Sequence, residues 1–212
     1  MTSTSSSRAP ARDRNKRGQG DRLREDLIAA GMAMIEENQT DRLSLRSVAR
    51  RVGIAATSVY LHFPDLDHLR AAAVERGFLQ LTAATAEAAT HASDPPADLR
   101  SRCRAYCRFG LDHPSLYQLM FQADLPLATV GDDPAATPGR RSFENLVASV
   151  ERCLQSGVAP PHDDPFRLAS LIWTAEHGIV LARIARPTFP WPPLKTFVDE
   201  MVDRIMAFPT DS

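Results

Sequence analysis

The sequence has no run of eighteen apolar residues, so no membrane-spanning helix is expected. Its first twenty residues, MTSTSSSRAPARDRNKRGQG, carry basic groups but no apolar stretch after them. A secretory leader needs that stretch, so a cytoplasmic protein is expected. Cysteine is scarce. Cys103, Cys107 and Cys153 are too few and odd in number for a disulfide framework, which fits a reducing compartment. Ten glycines are scattered over 212 residues. They form no Gly-x-Ser-x-Gly elbow, no Walker loop and no dinucleotide-binding turn, which leaves enzyme as the weakest class. No segment alternates with period two, and no internal repeat is visible, so strands and solenoids drop out.

What is present is a 43% hydrophobic chain, enough to build one large core or two modest ones. The net charge of −1 conceals an asymmetry. Residues 1–70 hold 12 Lys/Arg against 9 Asp/Glu, whereas residues 71–212 hold 13 against 17. A basic end on an acidic body is what a phosphate-binding module on a neutral scaffold shows. Residues 1–20 read as a disordered basic arm, with Arg8, Arg12, Arg14, Lys16 and Arg17 against Asp13. Two readings of the arm stand side by side: a solvated leader, or an arm lying on DNA phosphate or in a minor groove.

From Asp21 onward the apolar spacing is helical. Leu23, Leu27, Gly31 and Met34 place a first helix from Asp21, its cap, to about Asn38. Ser44 reads as the cap of a short helix that Gly53 stops, and a third short helix runs from about Ala55 to His62. A long alanine-rich helix follows, from Leu66 to about Thr90, capped by Asp65 or Asp67. Further helices begin after Asp94-Pro95-Pro96 and after His113-Pro114. Residues 122–138 read as a loop. Beyond it lie a helix stopping at Gly157, a long one from about Asp163 to Ala185, and a last one from about Leu194 to Phe208. The expected fold class is all-α with about nine helices. The expected division is an arm at 1–20, a DNA-binding unit at 21–65 and a regulatory and dimerising unit at 66–212.

The stretch from Ser44 to Phe63 holds two short helices joined by a tight turn at Gly53. Ala49 is small where the helices cross, and Val48, Val52, Ile54 and Val59 can bury against the first helix. The opposite side of the second short helix is left free for a major groove. A generic helical hairpin has the same spacing. The residues go further. The run Leu45 to Ile54, followed by Ser58-Val59-Tyr60-Leu61-His62-Phe63-Pro64-Asp65, closely resembles the DNA-binding signature of the tetracycline-repressor (TetR) family. The resemblance spans about Asp21 to Leu69. It implies that Ser44 and Arg46 sit at the DNA backbone. It also implies that Ala55, Ala56, Thr57 and Ser58 open the recognition helix toward bases, and that Tyr60 and His62 contact phosphates above Phe63. Two residues depart from the family pattern. Ala55 stands where Ser is common, removing a side-chain cap, and Leu66 stands where Lys usually supports phosphate binding. Arg50, Arg51 and the arm are candidates to compensate.

Farther on, Ala105-Tyr106 through Phe121 and then Trp173-Thr174-Ala175-Glu176-His177-Gly178 resemble a C-terminal domain subclass of that family, marked by a Trp-x-x-x-His-Gly run. An effector cavity lined by Tyr106, Phe109, Tyr117, Met120, Phe121, Phe143, Leu146 and Trp173 is expected, with His177 as a further candidate beside its reading as a buried, hydrogen-bonded histidine. The last two helices, through Leu168, Leu171, Trp173, Val180, Ile184, Phe197, Met201 and Ile205, are expected to supply a four-helix homodimer interface. No His/Cys set closes around a metal: Cys103 and Cys107 share a helix face but have no matching pair, and His162-Asp163-Asp164 reads as a helix start. No cofactor is expected. The partners expected are double-stranded DNA carrying a palindrome, a small-molecule effector and a second copy of the chain, with no membrane. The alternative is a small-molecule binding protein with no specific DNA target.

Overall fold

Five helix starts share one chemistry: a short oxygen-bearing side chain closing the free N–H groups of the first turn. The computed structural model describes residues 19–38, 40–122, 137–158 and 164–208. Among these residues the chain forms nine α-helices, a 3-10 turn at Thr40–Arg42 and no strand. The helices are α1 Gln19–Glu36, α2 Leu45–Val52, α3 Ala56–Val59, α4 Leu66–Ala88, α5 Pro95–Asp112, α6 Pro114–Gln122, α7 Pro138–Gln155, α8 Pro165–Ala185 and α9 Leu194–Met206.

Ser44 and Ser47 cap α2 reciprocally. Ser47 N–H donates to Ser44 Oγ at 3.1 Å, and Ser44 N–H donates to Ser47 Oγ at 2.9 Å. Asp65, rather than Asp67, starts α4 by accepting from the His68 N–H at 3.0 Å. Asp94, Thr137 and Asp164 cap α5, α7 and α8, each followed directly by a proline whose missing N–H costs nothing there. Gly53 ends α2 at φ 81°, a left-handed conformation that a side chain would strain.

Two boundaries differ from expectation. The first helix begins at Gln19, so Asp21 lies in its first turn, where its charge favours the helix dipole, and is not the cap. The third helix is only four residues long. Ala55 offers no side-chain cap, and after Val59 the backbone tightens into a turn, with Leu61 N–H donating to Ser58 and His62 N–H to Val59. The expected arm (residues 1–18 of it), most of the loop at 122–138, and His162 lie outside the described residues.

One apolar core runs through the described helices. The first helix packs on α2, α4 and α6, while α5 is the central strut, touching α4, α6, α7, α8 and α9. At Gly110 an added Cβ would lie 2.6 Å from Val180 and 2.9 Å from the Tyr117 ring, so α5, α6 and α8 meet there with no room for a methyl group. Arg100–Asp203 at 2.6 Å and Arg104–Asp199 at 3.2 Å tie α5 to α9.

The interface expectation for α8 needs correction. Leu168 and Val180 face the core and are fully or nearly fully buried. Leu171 is 46% exposed and lies on the outer face with Gly178 and Ala185. The same helix is long and apolar enough, by length and composition, to cross a membrane. Its inner face is instead occupied by the packing of α5, α7 and α9, and it carries the charged residues Arg167, Glu176 and Arg183.

Candidate functional site

The structure gathers two sets of residues. The first is the solvent face of α2 and α3. Val48, Ala49 and Val59 are buried against the core, and Val52 and Ile54 are half-buried. That burial turns Arg46, Ala55, Ala56 and Thr57 outward, with Ser58 half-exposed. Tyr60 is 51% exposed and Leu61 85%, while His62 is half-buried above the buried ring of Phe63. The Arg24 guanidinium lies 5.2 Å from the centre of that ring. All eight residues expected at DNA therefore lie on or at the edge of one surface, although Ser44 already spends its hydroxyl on the cap.

The basic residues differ among themselves. Arg51 is held by Glu37 in a two-pronged pair at 2.8 and 2.5 Å, which lowers the Glu37 carboxyl and raises the guanidinium. It braces α2 against the end of α1. Arg46 and Arg50 stay exposed, and neither has an ion-pair partner among the described residues. Leu66 packs against the core. Next to it the Asp65 carboxyl is held low by the side chain and backbone N–H of His68.

The second set surrounds a cavity of about 880 Å³ between α4, α5, α7 and α8, with Phe121 of α6 at its edge. Of the nine residues expected there, Tyr106, Phe121, Phe143, Leu146 and Trp173 line it. Phe109, Tyr117, Met120 and His177 do not. Phe109 turns toward His113, at 4.9 Å between rings, and Met120 fills the space against Gly77. Tyr117 is wholly buried. It forms the middle of a chain in which the Tyr106 and Tyr117 hydroxyls lie 2.9 Å apart and the Tyr117 hydroxyl lies 2.8 Å from His177 Nδ1. The His177 ring stacks on Trp173 at 5.8 Å, and burial pushes its pKa down. All four lie outside the lining, and Tyr117 and His177 pack against its Tyr106, Phe121 and Trp173.

Three wall residues from α4 were not foreseen: Phe78, Leu81 and Thr85. Rings meet edge-on across the wall, Phe78 with Phe121 at 5.5 Å, Phe143 with Phe166 at 5.4 Å and Phe143 with Trp173 at 6.2 Å. The other unforeseen residue is Glu176. It lies one helical turn from Trp173 in the Trp-x-x-x-His-Gly run, is 2% exposed, and lines the cavity. Desolvation raises its pKa to about 8, and its Oε1 has no hydrogen-bond partner. Among the described residues no three His, Cys, Asp or Glu cluster as metal ligands.

Two joints connect the exposed α2–α3 surface to the cavity. One is α4, which starts beneath the α3 turn and passes along the cavity wall. The other is the pairing of α1 with the start of α6, where Glu36 meets His113 Nδ1 at 3.1 Å and Ser115 Oγ donates to Asn38 Oδ1 at 2.6 Å.

Comparison with known proteins gives two family matches. Residues 27–73 match the model of bacterial regulatory proteins of the tetR family, and residues 99–208 match the tetracyclin repressor-like C-terminal domain. Among solved structures, a protein of unknown function from Rhodococcus sp. RHA1 superposes with a TM-score of 0.73 at 29% identity, over 87% of this chain and 94% of that one. The TetR-family regulator PfmR from Thermus thermophilus superposes with a TM-score of 0.62 at 19% identity, over 87% and 99% of the two chains. SmeT in complex with triclosan gives a TM-score of 0.62 at 20% identity, over 88% and 90%.

Proposed function

The chain belongs to the tetracycline-repressor family of DNA-binding transcription regulators, and from that premise we propose that it acts as a homodimeric repressor, released from a palindromic operator by a small molecule that enters the α4–α8 cavity. It is a regulator and not an enzyme. The observation that carries the proposal is the course of α4: one uninterrupted helix is capped beside the recognition turn by Asp65 and lines the cavity through Phe78, Leu81 and Thr85. A ligand that favours one setting of this helix biases the setting of the DNA-facing surface by its differential affinity. In this reading residues 21–65 read DNA and residues 66–212 sense and dimerise.

The dimer reading rests on the outer face of α8. Leu171, Gly178 and Ala185 are exposed there, and beyond the helix's own backbone and the two neighbouring residues no described atom comes within 4 Å of a Cβ built on Gly178, so another helix could approach closely. Half-buried Ile184, Phe197, Met201 and Ile205 on α8 and α9 extend that apolar surface. A dimer would hold the two recognition turns about 34–36 Å apart, one turn of DNA. Sequencing of DNA fragments selected by the purified protein tests the proposal. A two-fold symmetric site is the expected result; no enriched sequence would leave a small-molecule binder without a DNA target.

A further inference from the structure

The cavity wall has a chemical bias. Six aromatic side chains line it: Phe78, Tyr106, Phe121, Phe143, Phe166 and Trp173. Their faces carry the negative end of the ring quadrupole. The one fully buried carboxyl among them, Glu176, keeps Oε1 without a partner. A buried polar atom left unpaired is costly, and a native protein keeps such an atom where something else completes it.

None of the described residues supplies a countercharge. Among the described residues no Lys or Arg pairs with Glu176; the groups that face it are Cys103, Tyr106 and Cys107 of α5 and Tyr117 of α6, none of them cationic. His177, its neighbour on α8, is hydrogen-bonded to Tyr117 and held toward the neutral form by burial. The two cations that line the cavity are already engaged, Arg102 with Asp98 at 2.9 Å and Arg140 with Glu144 at 2.8 Å. On α7, Glu151 adds a further carboxylate to the lining.

We propose that the cavity takes a lipophilic organic amine, whose protonated nitrogen donates to Glu176 Oε1 while its apolar body lies among the aromatic rings. This inference rests on the reading of the cavity as the effector site and names the effector's class. An anionic effector is disfavoured by the same wall. The amine takes the place of the proton that Glu176 holds in the empty cavity: the carboxyl loses H⁺ to solvent, and the carboxylate accepts from the ammonium. Binding near pH 7 is therefore accompanied by release of a proton.

The test is calorimetric titration of the full chain with three matched probes: 1-naphthylmethylamine, 1-naphthylmethanol and 1-naphthoate. The amine is expected to bind about tenfold or more tighter than the alcohol, and the carboxylate weakest. Repeating the amine titration in buffers of different ionisation enthalpy is expected to show proton release. Glu176→Gln, which keeps the side-chain volume, is expected to reduce the amine to the affinity of the alcohol and abolish the proton release. Trp173→Ala should weaken all three probes together. Equal affinity of amine and alcohol for the wild type, or an amine preference that survives Glu176→Gln, overturns the proposal while leaving the cavity as the effector site. Failure of all three probes to bind, or binding indifferent to Trp173→Ala, overturns the effector-site reading itself. Thermal melts of both variants show whether each is folded, and a misfolded Glu176→Gln is replaced by Glu176→Leu with the same expectations.

Discussion

Replacing Glu176 by Gln should make the protein less sensitive to alkali, and the size of the effect follows from burial. Inside the fold the carboxyl titrates at about 8, against 4.5 for a solvated glutamate. That difference is equivalent to about 5 kcal/mol of disfavoured charge. The folded state holds the proton that the unfolded chain gives up first, so between the two values the unfolded state binds fewer protons and stability falls as pH rises. Below about pH 4.5 both states are protonated and the penalty vanishes; above about pH 8 it is complete. The Gln variant lacks this penalty but buries an amide with an unmet partner, a cost of about 1–3 kcal/mol that does not change with pH. The telling quantity is therefore the slope. From pH 5 to pH 8 the wild type should lose about 3 kcal/mol relative to the variant, which for a chain of this size moves the melting temperature by about 6–12 °C. His177 titrates in both proteins and cancels from the difference. Differential scanning calorimetry across that range, without ligand, is the measurement. Two melting curves that run parallel with pH would show that Glu176 is ionised in the fold, and the reasoning about its surroundings would fail.

Four further outcomes are expected. Tyr60→Phe removes an exposed hydroxyl, so operator affinity in a gel shift should fall about tenfold or more with the melting temperature unchanged; unchanged affinity would remove Tyr60 from the interface with DNA. Leu171→Asp on the outer face of α8 should yield a folded monomer by light scattering, whereas Val180→Asp, at 0% exposure, should fail to fold; an intact Leu171→Asp dimer would place the interface elsewhere. Gly110→Ala should cost about 1–3 kcal/mol, because its Cβ meets Val180 and the Tyr117 ring, and a neutral result would mean that α5 and α8 can move apart. Deleting residues 1–17 removes five basic groups, and if they touch phosphate the plot of log affinity against log salt should flatten by about 0.9 for each lost contact; an identical slope would make the segment a solvated leader.

The DNA-facing half was the more legible in sequence. Ser44, Gly53 and Asp65 mark boundaries by chemistry that acts locally, and the small residue Ala49 marks a crossing whatever lies beyond it. Overextension of α3 to His62 came from reading spacing where the backbone had already tightened into a turn. The cavity was harder, because its walls come from helices far apart in sequence. Aromatic spacing on α5 and α6 could not separate Tyr106, which reaches the cavity, from Tyr117, which stands behind it. The fourth helix looked like an alanine-rich connector, so Phe78, Leu81 and Thr85 were passed over. The apolar residues of the eighth helix are spread around its circumference, and nothing in such a pattern says that Val180 faces inward and Leu171 outward. The signal for Glu176 was present all the same: a single acid in the apolar run between Leu168 and Leu181.

The continuity of α4 sets a gearing. Fifteen residues separate Leu81, on the cavity wall, from Leu66, beneath the recognition turn, a lever of about 22 Å. A tilt of about 5° at the cavity end would swing the far end by about 2 Å. In a two-fold pair the arms would swing in opposite senses, so the spacing between recognition turns would change by about 4 Å against a groove repeat of about 34 Å. The displacement demanded at the cavity is smaller than the width of one methyl group, so what an effector must supply is wedge shape at the short arm of the lever.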